Sequence, residues 1–240
     1  MIEQKKTRYR KWPFLIGTLL LLAATALYVF NRLEDLGAKQ QAEVVLSELH
    51  KQIPVPETFY ASETAPYADA SLLEKLPTSD FNSSIPDYIL NPDMKMPVME
   101  IEGNLYIGSL FFPALNLELP VLSSWSYPNL KIAPCVYEGS IYRRNAVIAA
   151  HNYKSHFGRL LELKPGDHVL FEDVDGNVFI YQVAASEVID PKGTNEMISS
   201  SFDLSLFTCT RGGSARFTVR CKQLSDDDIV TIKYLKEIGR

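Results

Sequence analysis

Reactive side chains are few in this chain. It holds four histidines, His50, His151, His156 and His168, and three cysteines, Cys135, Cys209 and Cys221. Three cysteines at these spacings match no zinc pattern and build no disulfide framework. His151 and His156, in Ala150-His151-Asn152-Tyr153-Lys154-Ser155-His156, are spaced wrongly for two ligands on one helix face, so no metal and no cofactor is expected. Cys209 is the candidate nucleophile. It ends the run Leu204-Ser205-Leu206-Phe207-Thr208 and precedes the loop Thr210-Arg211-Gly212-Gly213. A thiol attacks as its thiolate, which nearby positive charge favours. Arg216 opens the next strand-like run, and pairing across the loop returns it beside Cys209. His151 follows the apolar run Asn145–Ala150 and can reach the same end of a barrel. By themselves these positions read more readily as a small buried cysteine and a surface histidine.

The elements that must carry these residues are short strands. Leu105–Phe111 and Leu115–Val121 flank a Pro-Ala corner, and the second alternates cleanly. Asn145–Ala150 is a buried strand, and His156–Leu163 a short helix stopped by Lys164-Pro165-Gly166-Asp167. His168–Glu172 and Val178–Ala185 form a hairpin about the turn Asp173-Val174-Asp175-Gly176-Asn177. Leu204–Thr208 and Ala215–Lys222 are the last two strands. Strands at this spacing argue a closed or nearly closed β-barrel with few helices.

The head of the chain is different. Lys5, Lys6, Arg8, Arg10 and Lys11 sit in a basic segment over 1–12, followed by Pro13 to Phe30 without a charge. As a helix those residues reach about 27 Å, close to a hydrocarbon core. The one-sided basic flank orients the amino end inside. Ala24-Thr25-Ala26 offers a cleavage site for a signal peptide, but the apolar run continues past it, which favours an uncleaved single-pass anchor with the remainder outside the cell. Residues 31–97 then divide into a helical stalk, with Leu33, Leu36, Val45, Leu46 and Leu49 at roughly helical spacing, and an arm. Seven of the fourteen prolines fall in 52–97, which leaves no room for long elements there. The barrel is expected over 98–224, and 225–240 is a tail that opens like an acid-led helix at Asp226-Asp227-Asp228. The formal charge of −5 gives no sign of a nucleic-acid binder.

Ser205-Leu206-Phe207-Thr208-Cys209, followed by Arg216 in Arg216-Phe217-Thr218-Val219-Arg220, resembles the sortase signature of a Thr-Leu-x-Thr-Cys strand and a following arginine. Ser205 departs from it, replacing a threonine. His151-Asn152 after Val147-Ile148-Ala149-Ala150 is similar to the family's histidine segment. Ile107–Leu110, Leu119-Pro120-Val121, Ala133–Ser140 and Gly166-Asp167 add support, so the likeness spans roughly 100–222. It implies a closed eight-stranded barrel of the sortase type. It also implies a membrane-anchored cysteine transpeptidase of Gram-positive cell walls. Such an enzyme cuts an LPxTG-like sorting motif near the carboxyl end of secreted proteins, holds the new end as a thioester, and passes it to an amine of peptidoglycan or a pilin lysine. On that likeness Cys209 is the nucleophile, His151 the acid that protonates the leaving amine, and Arg216 the oxyanion and backbone holder. Thr208 and Thr210 are carried along as substrate-binding or oxyanion support.

Ala133–Ser140 and the His151-Asn152 loop look more like class B, with class D open. The lid motif of pilus-building sortases is met only by a poor imitation, Asn91-Pro92-Asp93, and no second apolar stretch follows residue 222. Two other readings stand: an exported cysteine peptidase that releases free acid, and an anchored module that only holds peptides. Cys135 and Cys221 are expected as independent buried thiols, and His156 and Arg220 as dispensable neighbours of the site. Leu76-Pro77-Thr78-Ser79-Asp80 faintly resembles a sorting motif, which raises the idea that the arm lies in the substrate groove.

Overall fold

The computed structural model describes residues 12–53, 86–198, 201–210 and 212–225. The chain divides into two compact units, 1–37 and 38–240. In the first, helix α1 (Trp12–Gln52) begins with an uninterrupted apolar stretch whose best window has a mean hydropathy of 2.1, none of it buried. By length and composition it can cross a membrane. Within the second unit the last turns of α1 change character. Ala38, Ala42, Val45 and Leu49 recur at three- and four-residue spacing and are buried, the stripe an amphipathic helix lays on a neighbour. Val45, Leu49 and Ile53 pack with Ile101, Tyr106, Leu122, Ala133, Cys135 and Val174.

Among the described residues nine strands follow: β1 (Met99–Ile101), β2 (Asn104–Phe112), β3 (Leu117–Leu122), β4 (Cys135–Glu138), β5 (Ala146–Ala149), β6 (His168–Asp173), β7 (Val178–Ile189), β8 (Leu204–Cys209) and β9 (Arg216–Gln223). Their order is β1-β2-β3-β4-β5-β8-β9-β7-β6, and β6 returns to pair with β2. Eight strands, β2 to β9, therefore close a barrel, and β1 adds a hairpin turned at Glu102 and Gly103, both with positive φ. This is the closed barrel expected. It seals where Gly108 of β2 faces Asp173 of β6. Gly108 has φ +147, and a Cβ there would collide with the backbone of Glu172, so only glycine allows the seam.

Side chains alternate in and out around this wall. Leu204 and Leu206 of β8, Ile148 of β5, Leu110 and Phe112 of β2, and Val219 and Cys221 of β9 fill one interior cluster. The expected Leu115–Val121 strand starts later, because Pro113–Leu115 form a 3-10 turn ended by left-handed Asn116. The expected helix at 156–163 is a 3-10 helix, Phe157–Glu162. Elements not foreseen are β1, β4, α2 (Asp87–Leu90), α3 (Tyr127–Ile132) and α4 (Thr194–Ile198). Cys135 opens β4.

The described part of the arm caps the mouth remote from His151. Tyr88 of α2 stacks on Tyr142 at 4.7 Å and packs against Phe179, and Arg143 Nε meets Asp93 Oδ1 at 2.9 Å. Tyr142 precedes β5 while His151 follows it. Phe179 lies at the start of β7 while Ile189, which pairs with Arg216, closes it. Asn91-Pro92-Asp93 thus belongs to a strap at the far end. Leu76–Asp80, the basic cluster before Trp12 and the tail beyond Ser225 lie outside the described residues.

Candidate active site

Two neighbouring strand ends carry the candidate residues. β5 and β8 run parallel, with Ala149 opposite Phe207. Beyond that pair the Ala150 N–H donates to the Phe207 carbonyl at 3.1 Å, and the Thr208 hydroxyl donates to the Ala150 carbonyl at 2.9 Å. The residues just before His151 and Cys209 are therefore tied together. Thr208 is buried. Its side chain points inward to this bond.

β8 and β9 are antiparallel, and Cys209 with Arg216 forms their last pair. Partners across a ladder point to the same side, so both project from the outer face, where each is half-buried. Thr210 closes the intervening loop. Its N–H donates to the Ala215 carbonyl at 3.0 Å, and its carbonyl accepts from Gly213 N–H at 2.8 Å. Its hydroxyl accepts from Ala215 N–H at 3.1 Å. The expectation that Thr210 supports an oxyanion meets a residue whose N–H and hydroxyl serve the turn. Arg216 Nη1 donates to the Ala215 carbonyl at 3.2 Å and the Gly213 carbonyl at 3.3 Å, which holds the guanidinium over the loop next to Cys209.

His151 leads into a tight turn. Its carbonyl accepts from Phe157 N–H at 3.1 Å, and the Tyr153 carbonyl accepts from Gly158 N–H at 2.8 Å. The His151 ring lies 4.9 Å from that of Tyr153. The three cysteines separate sharply. Cys135 and Cys221 are free, fully buried thiols in different apolar clusters. Burial pushes each up to about 12, away from thiolate chemistry. Cys209 alone among them reaches solvent.

Around Cys209 the outer face is walled. Val147 and Ile189 pack with Met197 of α4, and Tyr137 and Phe207 pack against them. On the other side Phe207 meets Tyr137 edge-on at 5.3 Å, Tyr137 meets Trp125 at 5.7 Å, and Trp125 meets Tyr127 at 5.1 Å. Neither wall was foreseen from sequence, since both come from short elements without periodicity. Neither presumed bystander is an exposed residue. His156 is wholly buried, and Arg220 is 2% exposed. Among the described residues no group of three or more potential metal ligands occurs.

No curated protein sequence matches the chain. Among solved structures it is similar to a Streptococcus agalactiae sortase C1 in complex with MTSET, at 26% identity over 50% of this chain and 68% of that one, TM-score 0.43. It is also similar to a Streptococcus pneumoniae sortase C-1, at 26% identity over 53% and 70%, TM-score 0.45. A Streptococcus suis sortase C1 matches at 21% identity over 58% and 79%, TM-score 0.44. The family model for the sortase domain matches residues 110–224, which run from the last residues of β2 through β9 and take in His151, Cys209 and Arg216, so this part of the chain is a sortase domain.

Proposed function

We propose that the chain is a membrane-anchored cysteine transpeptidase in which Cys209, His151 and Arg216 do the chemistry. One observation carries the reading. The half-buried thiol and a guanidinium form the terminal pair of β8 and β9, and the adjoining strand end, tied to β8 through Thr208, delivers a histidine. The Cys209 thiolate attacks the scissile carbonyl, and Arg216 donates to the oxygen as it gains charge. His151 gives a proton to the departing nitrogen, the C–N bond breaks, and a thioester remains. In the second half an amine attacks the thioester carbon, its proton passes to His151, and the Cys209 thiolate leaves. An amide has replaced an amide, so no external energy source is needed.

The substrates on this reading are secreted proteins with an LPxTG-like carboxyl-terminal motif, and the acceptor is a peptidoglycan amine or a pilin lysine. The apolar half of α1 holds the enzyme in the cell membrane with its amino end inside and the barrel outside. Thr208 acts as a positioning residue for both strand ends. The test is the product. Incubated with a Leu-Pro-x-Thr-Gly-like peptide and hydroxylamine, the full chain should form hydroxamate. Free acid alone would mean a peptidase, and no cleavage with intact Cys209 reactivity would mean a peptide-binding module.

A further inference from the structure

Arg220 lies on β9 four residues beyond Arg216 and on the same outward face, yet it is buried. A buried guanidinium is costly unless its donors are matched, and here they are. Nε donates to Glu187 Oε1 at 2.7 Å. Nη1 donates to the Met197 carbonyl at 3.0 Å and to Ser205 Oγ at 2.7 Å. Nη2 donates to the Glu196 carbonyl at 2.7 Å. The two carbonyls belong to the last turn of α4, where a helix leaves acceptors unpaired and favours positive charge. The fork therefore fastens α4 to β8 through Ser205 and to β7 through Glu187. Ser205 is the position where a serine replaces the signature threonine; the hydroxyl that both share is the group Arg220 uses.

The fastening matters because of what α4 touches. Met197 packs with Phe207 and Ile189, and its sulfur accepts from Thr218 Oγ1 at 3.7 Å. Phe207 and Thr218 are in register, the next outward-facing pair along from Cys209 and Arg216. A peptide laid on the outer face toward Cys209 meets α4 as one wall of its path, with Tyr137 and Trp125 across from it.

Resting on the transpeptidase reading above, we propose that Arg220 is a positioning residue that sets this wall and so governs peptide affinity, while Cys209, His151 and Arg216 govern the chemical step. Only arginine presents donors in the planar arrangement that spans two carbonyls, a hydroxyl and a carboxylate at once. Arg220→Met, an apolar chain of similar reach, should open the wall.

The experiment uses the full chain in detergent, with steady-state transfer of a Leu-Pro-x-Thr-Gly-like peptide to hydroxylamine, the iodoacetamide reaction rate of Cys209, and hydrogen exchange of amides 193–198. Arg220→Met should raise KM about tenfold and leave kcat within about threefold, a split that separates binding from chemistry. The Cys209 alkylation rate should not change, and exchange over 193–198 should accelerate about tenfold. Arg220→Lys should recover part of the loss in KM, and Ser205→Ala should shift KM the same way by a smaller factor. A fall in kcat at unchanged KM, or a silent Arg220→Met, overturns the proposal. Should Arg220→Met fail to fold, Ser205→Ala decides by the same split, and an unchanged KM overturns it. Absence of turnover in the unsubstituted chain would instead overturn the transpeptidase reading. Exchange over 193–198 would still show whether Arg220 pins α4, and no acceleration there overturns that as well.

Discussion

Two patches on the outer wall of one barrel begin alike and end with opposite character. On β8 and β9, strand alternation sends Ser205, Phe207, Cys209, Arg216, Thr218 and Arg220 outward. On β2, β3 and β6 it sends Ser109, Glu118 and Glu172 outward, and Ser109 lies in register with Glu172. What differs is the cover. The end of α1 lies over the second patch, with His50 Nε2 at 2.8 Å from Glu118 Oε1 and Ser109 Oγ donating to the same carboxylate at 3.0 Å. Over the first patch α4 seals Thr218 and Arg220 but stops short of the last pair, and Cys209 and Arg216 stay half-exposed. A polar outward group becomes a fastening when an element covers it and stays open to solvent when the cover ends; on the proposed function, that opening is what lets it react.

The largest effects should come where cover is lacking. Cys209→Ala should abolish cleavage and transfer while the fold persists, because a small change at a half-exposed strand end leaves little cavity. On the proposed mechanism His151→Ala should lose nearly all turnover, since no acid would remain for the leaving amine. Both are read by product formation beside far-ultraviolet circular dichroism. An alanine variant at Cys209 that still makes amide would break the distinction between the two patches. Alkylation sharpens it further: Cys209 should react with iodoacetamide in the native chain, while Cys135 and Cys221 should react only after denaturation.

Arg216→Lys comes next. Lysine keeps the charge but not the planar donor pair, and loss of one oxyanion donor typically lowers kcat by about 10²–10³. A variant within about tenfold of the parent in single-turnover acylation would show that charge alone suffices, and Arg216 would then be only a local electrostatic neighbour.

Much of this arrangement was legible in the sequence, for definable reasons. The Leu115–Val121 run that becomes β3 alternates cleanly, and the Asp173–Asn177 turn marks the β6–β7 hairpin by its glycine and its side-chain acceptors. Eighteen uncharged residues after a basic cluster mark the apolar helix. The count of eight strands came from the family likeness and not from periodicity. β4 is four residues long and α4 five, too short to show any period. Arg216 and Arg220 have the same parity on one strand. Nothing local distinguishes the exposed arginine from the buried one, because burial is decided by α4, some twenty residues away in sequence. The serine at 205 was a usable signal, since it kept a hydroxyl where any small residue would have packed.

A smaller effect is expected where the two strand ends are joined. Thr208→Val keeps the shape of a buried side chain and removes the hydroxyl that meets the Ala150 carbonyl. Losing such a bond costs about 1–2 kcal/mol when the partner stays buried, which denaturant unfolding can measure. Because the bond links the residues before His151 and Cys209, kcat should fall as well. Stability lost with kcat unchanged would show that the strand ends hold register without it.

The smallest effect belongs to the covered patch and concerns pH. Glu118, from β3, raises the His50 pKa through their hydrogen bond, and the neighbouring Glu172 charge adds to it. Glu172, from β6, is itself raised, first by burial and then by the Glu118 charge. Both groups bind a proton more tightly in the folded chain. Their stabilisation is complete below the unfolded values, about 6.5 for a histidine and 4.3 for a glutamate, and is lost as pH rises through the folded ones. The pair is partly solvated, with His50 and Glu118 29% and 25% exposed, so it contributes about 1 kcal/mol or less. The melting temperature should therefore decline by a few degrees between about pH 6 and pH 8. His50→Gln, which keeps a donor but cannot titrate, should flatten that decline, and Glu172→Gln should raise the melting temperature most at the alkaline end. Melting curves of parent and His50→Gln that run parallel across the interval would show that α1 is held by Val45, Leu49 and Ile53 alone, and that the covered patch is as indifferent to protons as the apolar face beside it.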